Sequence, residues 1–238
     1  KAKKEKGVRV AALVNVLGST LYRMADFSVL LGAGPEKCVL ATKSYTAKLA
    51  VLLMTAYALD GRLDEGKELV LRAADGVEEL LRDGIRDKVE ALAERIYDRE
   101  HIFLIGRGLS YSSALEAALK IKEVTYIHAE GFAGGELKHG VIALIEQGTP
   151  CIVFAPSDET QAAILSGAQE LKARGGFIIG ISPKCSDVFD YWIPVADVGD
   201  ASPIVNAVPA QLLAYCLSIK RGTDPDKPRN LAKSVTVK

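Results

Sequence analysis

Cysteine is scarce in this 238-residue chain and shows no pairing: Cys38, Cys151, Cys185 and Cys216 stand far apart, with no CxxC motif. That spacing argues against a zinc knuckle or a disulfide-stapled scaffold. It predicts reduced, mostly buried thiols in a cytoplasmic protein. An excess of charge of one sign is also missing, since Lys plus Arg and Asp plus Glu number 30 each. A balanced chain sets up no field toward nucleic acid or an anionic membrane, and the basic start "KAKKEKG" reads as a solvated helix end. The apolar run around "LAVLLM" is too short to cross a bilayer, and no signal-peptide pattern is visible. Neither nucleic acid nor membrane is therefore expected as a partner. What remains is 49% hydrophobic and 25% charged residues, the balance of a globular protein able to bury a proper core.

Short apolar runs alternate with helical patterns, which predicts an α/β fold with a doubly wound parallel sheet. "VRVAALVNV" (8–16) and "FSVLLGAG" (27–34) read as strands. "TKSYTAKLAVLLMTAYAL" (42–59) reads as a largely apolar helix with Thr42 as its cap. The charged stretch 61–100 has helical period and is expected to break at Gly76 and Gly84. Then come a strand at 101–106, a helix at 110–128, strands at 150–156, 176–182 and 191–195, and helices at 158–175 and 202–220, the last capped by Ser202 ahead of Pro203. This second unit makes a whole doubly wound domain. The front unit makes about half of one.

Histidine is down to three residues, and two of them lie in "HAEGFAGGELKHG" (128–140). Glu136 and His139 have an i, i+3 spacing open to a metal pair or to proton transfer by the histidine, with His128 and Glu130 nearby. On the preceding helix, Leu115, Ala118, Leu119, Ile121 and Tyr126 fall in one broad arc expected to pack on the sheet. Glu116, Lys120 and Glu123 line up on a different face. That stripe reads either as a surface ion-pair ladder or as a general base with a lysine partner. "GRGLS" (106–110) places glycines at a helix N-terminus, which is either a tight structural turn or an anion site.

"ALEAALKIKEVTYIHAEGFAGGELKHGVIALI" (114–145) resembles the isomerase part of the glutamine–fructose-6-phosphate aminotransferases, or glucosamine-6-phosphate synthases. So does the ending "PRNLAKSVTVK" (228–238), and "ATKSYTAKLAVLL" (41–53) is similar to the matching part of that family's first sugar-isomerase (SIS) domain. The resemblance implies two SIS domains in tandem, of the doubly wound α/β type. It divides this chain into the C-terminal half of a first domain (1–62), a helical connector (63–100), a second domain (101–221) and a functional tail (222–238). It implies that Glu123 moves a proton between C1 and C2 of the sugar, with Lys120 beside it and Glu116 in the same pocket. His139 would serve ring opening from the neighbouring subunit of a homodimer. Lys233 would form a Schiff base with the open-chain ketose, and Val39, Ala41 and Ala232 would line the substrate. The implied chemistry converts fructose 6-phosphate to glucosamine 6-phosphate and needs no metal or organic cofactor.

Two departures from that pattern stand out. The family commonly carries Ser at the position of Ala41. Its phosphate loop, of the Ser-Gln-Ser-Gly-Glu-Thr type, precedes the counterpart of "VRVAALVNV" and has none in these residues; nor has the Cys glutaminase domain. The chain is thus expected to be a C-terminal fragment or truncated relative, weakly active or inactive alone, with the glutaminase in the full-length protein. The alternatives are a sugar-phosphate isomerase or deaminase of the same architecture, and a non-catalytic sugar-phosphate-binding SIS domain.

Overall fold

The computed structural model describes residues 5–82 and 84–233. Its centre is a five-stranded, all-parallel sheet of β3 (His101–Gly106), β4 (His128–Ala133), β5 (Pro150–Phe154), β6 (Phe177–Ser182) and β7 (Tyr191–Pro194), in the order β4-β3-β5-β6-β7. Ahead of it stand β1 (Ala11–Val14) and β2 (Phe27–Leu30), a separate parallel pair joined through the short helix α1 (Thr20–Met24). The longer helices are α2 (Lys43–Leu59), α3 (Leu63–Arg82), α4 (Ile85–Ile96), α5 (Leu109–Thr125), α6 (Gln161–Lys172) and α7 (Ser202–Lys220).

The strands are almost continuously apolar because helices cover both faces of the sheet. Ile102, Leu104, Ile152, Phe154, Ile179 and Ile181 point into one core with α3, α4, α5 and α7. Phe103, Ile105, Cys151, Val153 and Ile178 alternate into a second core with α6. Each fully buried aliphatic side chain contributes about 1.5–3 kcal/mol.

Several elements differ from the sequence expectation. Segment 128–133, for which no strand was expected, is β4; its small residues let it lie against α5, and a Cβ at Gly131 would sit 2.8 Å from the Ala114 carbonyl oxygen. Gly76 does not break its helix. It lies mid-α3, where a Cβ would come within 2.5 Å of Ala196 Cβ, so it serves close packing. The break falls at Gly84, whose φ of 72° suits glycine. Thr42 makes no side-chain cap; Glu36 Oε1 takes the N–H groups of Thr42 (3.2 Å) and Ser44 (2.8 Å) instead. Ser202 is already helical, and Ala201 is the N-cap of α7. By length and composition the stretch Gly199–Lys220 could cross a membrane, contrary to the reading from "LAVLLM"; here its apolar surface packs against α4 and α5.

Candidate active site

The α5 helix is wedged between β3, β4 and α7, which leaves room for alanines rather than leucines. Ala114, Ala117, Ala118, Ile121 and Val124 are buried, whereas Leu115 and Leu119 are 45% and 42% exposed. The expected apolar arc is therefore rotated. Lys120, expected on an exposed stripe, turns into the protein and is only 3% exposed. Lys122, which the arc had placed inward, is exposed.

Lys120 Nζ donates to Glu123 Oε2 at 2.7 Å and lies 3.4 Å from Glu116 Oε1, the side chains being 4%, 20% and 13% exposed. This is no surface ladder. It is a buried carboxylate–ammonium–carboxylate set in which one cation serves two acids. Burial raises the Glu116 carboxyl above its ordinary value, only partly offset by Lys120. From α2, Tyr45 faces the same acid; burial and the Glu116 charge push its hydroxyl up to about 12. Such a site excludes water, holds a proton on a carboxylate cheaply, and can pass it to a neighbouring carbon or oxygen.

Beyond α7 the chain is stitched over the C-terminal end of α5. Arg221 Nε donates to the Thr125 carbonyl at 2.9 Å, and Thr223 Oγ1 donates to that of Val124 at 2.5 Å. Tyr126, at φ 61°, ends the helix, and its hydroxyl accepts the Arg229 N–H at 2.8 Å while the Arg229 guanidinium lies 4.0 Å over its ring. The tail next clamps the loop before α2: Val39 N–H donates to the Asp226 carbonyl at 3.2 Å, and Lys233 Nζ donates to the Val39 carbonyl at 3.2 Å. Ala41 follows in that loop, and Ala232 is exposed beside Lys233.

The structure thus gathers Glu116, Lys120 and Glu123 in one set, and Val39 and Lys233 in another. Among the described residues Lys233 bonds to Val39 and not to Glu123. The tail residues after Lys233, Val235 and Val237 among them, lie outside the described residues. His139 stands apart, exposed, with Nδ1 2.7 Å from Glu136 Oε2. His128 Nδ1 lies 3.0 Å from His101 Nδ1, and its Nε2 is 3.9 Å from Glu130 Oε2. No group of three or more His, Cys, Asp or Glu converges as a metal cage among the described residues.

Residues 95–221 match the SIS domain model, more than half of the chain. The chain belongs to the SIS domain family. It is 46% identical over its whole length to a glutamine–fructose-6-phosphate aminotransferase (isomerizing) of Pyrococcus horikoshii, of which it covers 40%. It is 46% identical over 97% of its length to that of Bacillus subtilis, covering 39%. The chain therefore spans about two fifths of the curated relatives it matches. Among solved structures, the C-terminal domain of glucosamine-fructose-6-phosphate aminotransferase from Francisella tularensis superposes with a TM-score of 0.87 at 33% identity, covering 95% of this chain and 67% of that one. A glucosamine-6-phosphate deaminase from Thermotoga maritima gives 0.76 at 26% identity, with coverages of 95% and 66%.

The sequence did not single out Glu36 or Tyr45, and it placed Tyr126 in the apolar arc, where the structure has it hold Arg229 of the tail. Glu36 is an acid just ahead of a helix start, a cue that was available. Tyr45 and Tyr126 carry no local signal, because each acquires its role from a distant partner.

Proposed function

We propose that this chain is the C-terminal portion of the isomerase module of a glutamine–fructose-6-phosphate aminotransferase, acting on fructose 6-phosphate. The observation that carries the reading is the buried Lys120 held between Glu116 and Glu123. A lysine stripped of water and flanked by two carboxylates costs stability, and such groups cluster where protons are moved. In this reading the Lys233 amine adds to the C2 carbonyl of the open-chain ketose and, with loss of water, forms an imine; ammonia from the glutaminase of the full-length protein then displaces the lysine, freeing its amine and leaving an unsubstituted imine nitrogen on C2. Glu123 then takes a proton from C1 and returns it to C2, while Lys120 balances the charge on the carboxylate. Val39, Ala41 and Ala232 line the sugar, and Glu116 completes the pocket.

The exposed pair β1–β2 suits the C-terminal half of a first SIS domain (1–62), followed by a connector (63–100), the second domain (101–221) and the tail (222–238). His139, remote from Glu123 here, suits a role in a neighbouring subunit's pocket and hence a homodimer. The four unpaired cysteines suit the cytoplasm. A deaminase of the same architecture is the competing reading, and the higher identity to aminotransferases along the whole chain favours the first.

In a full-length enzyme, Glu123→Gln keeps the shape of the side chain but cannot accept a proton. It is expected to lower sugar isomerisation by at least 10²-fold, the usual scale of general base catalysis, and to leave substrate affinity within a few-fold. Hydrogen exchange at C1 that continues at the wild-type rate would place the base elsewhere.

A further inference from the structure

On the face of the sheet opposite Lys120, between the C-terminal ends of β3 and β4 and helix α6, lies a cavity of about 250 Å³. Arg107, the residue after β3, and Gly134 and Gly135, the residues after β4, form one wall, with Lys138, Ser166 and Glu170 at the rim. The arginine stem is held in place: a Cβ at Gly134 would lie 3.1 Å from Arg107 Cγ and 2.6 Å from Ile164 Cδ1, so only glycine lets the stem lie there. The guanidinium rests beside Gly135, where a Cβ would be 3.6 Å from Nη2.

This partly buried guanidinium has no ion pair and no hydrogen bond among the described residues. The contrast with two other cations is informative. Lys138 is taken by Glu170 at 2.9 Å, and Arg221 is satisfied by the Thr125 carbonyl at 2.9 Å and the Tyr97 carbonyl at 2.6 Å. With Lys138 and Glu170 cancelling, Arg107 leaves the cavity with one net positive charge. A planar fork of five N–H donors, held in a concave pocket with no acceptor, matches the two oxygens of a phosphate or carboxylate. The cavity also opens at the carboxyl ends of β3 and β4, the end at which doubly wound parallel sheets bind ligands.

We propose that this cavity is an oxyanion site, taking a phosphate monoester or a carboxylate in bidentate contact with Arg107. It lies across the sheet from Lys120 and does not depend on the catalytic reading, so its test uses binding and not turnover.

Inorganic phosphate is the probe, titrated into the full chain and followed by calorimetry and by ³¹P line width. The wild type is expected to show one saturable site with a Kd on the order of millimolar, the scale of one bidentate charged contact. Arg107→Gln should weaken it about tenfold or more. Gly135→Glu, which sets a carboxylate beside the guanidinium, should abolish it without lowering Tm. If the natural occupant is a carboxylate of a second copy of the chain, phosphate affinity falls as protein concentration rises, and Arg107→Gln weakens self-association. If it is a free oxyanion, affinity is independent of protein concentration. Phosphate binding unchanged in both variants would overturn the proposal.

Discussion

Lys120 sits where a charge is costly and is kept there by two acids, with Glu116 Oε1 receiving no hydrogen bond of good geometry. Removing one partner of such a buried set typically costs about 3–5 kcal/mol, since an uncompensated charge is left behind. That asymmetry explains why an arrangement unfavourable for stability is found in a helix otherwise lined with alanine. Glu36 is a second residue with more than one task. Burial pushes its carboxyl up, but bonds to the Ser44 side chain and to the N–H groups of Ser44 and Thr42, with the nearby Lys233 charge, outweigh it and hold it below 4.5. A depressed folded value means that the stabilisation is present above the ordinary pKa of 4.5 and is lost as pH falls through the folded value. Glu36→Gln is expected to cost about 1 kcal/mol at pH 7, the usual worth of a helix cap, and progressively less below pH ~4.5. Urea unfolding of both proteins at neutral and acid pH measures this; a difference independent of pH would refute the charge-based account.

The α3 helix docks through Gly76 against the segment after β7, with no space for even one methyl group. Gly76→Ala must displace Ala196 and is expected to destabilise by about 1–3 kcal/mol despite its better helix propensity, the usual cost of overpacking. Thermal unfolding showing equal or higher stability would mean that the contact is loose. Gly76 also shows where the sequence ran out. A glycine inside a helical period looks like a break, and only the tertiary approach of Ala196 explains it. The strands β3, β5 and β6 were legible because both of their faces are buried and nearly all their residues are apolar, and the half-buried edge strand β7 because of its Tyr-Trp-Ile run. The β4 strand was not, since an edge strand with His128, Glu130 and Gly131 carries neither alternation nor a continuous apolar run. On α5 the stripe of Glu116, Lys120 and Glu123 was visible at its spacing, but its burial was not. The leucines suggested the wrong inward face, because packing between a sheet and α7 selects small residues. Resemblance, not periodicity, singled out Glu123 and Lys233.

At the scale of the molecule, the candidate residues come from four distant parts of the chain: the loop at 38–41, helix α5, the segment around His139, and the tail. The tail bonds to α5 through Arg221 and Thr223 and to the loop through Asp226 and Lys233, so it ties three of them together. His139 is left outside. A homodimer that brings His139 to a second subunit's pocket is expected to persist at tens of micromolar protein, the range of weak association; light scattering that shows a monomer there would count against it. The account as a whole turns on the tail delivering a reactive amine to the Glu116–Lys120–Glu123 set. Lys233, on an exposed segment beyond α7, would ordinarily be a solvated charge. The most direct measurement is borohydride trapping with fructose 6-phosphate in a full-length enzyme, followed by peptide mapping. The account predicts a reduced sugar adduct on Lys233, abolished in Lys233→Arg, because arginine keeps the charge but forms no imine at working pH. An adduct of equal yield in Lys233→Arg would contradict it.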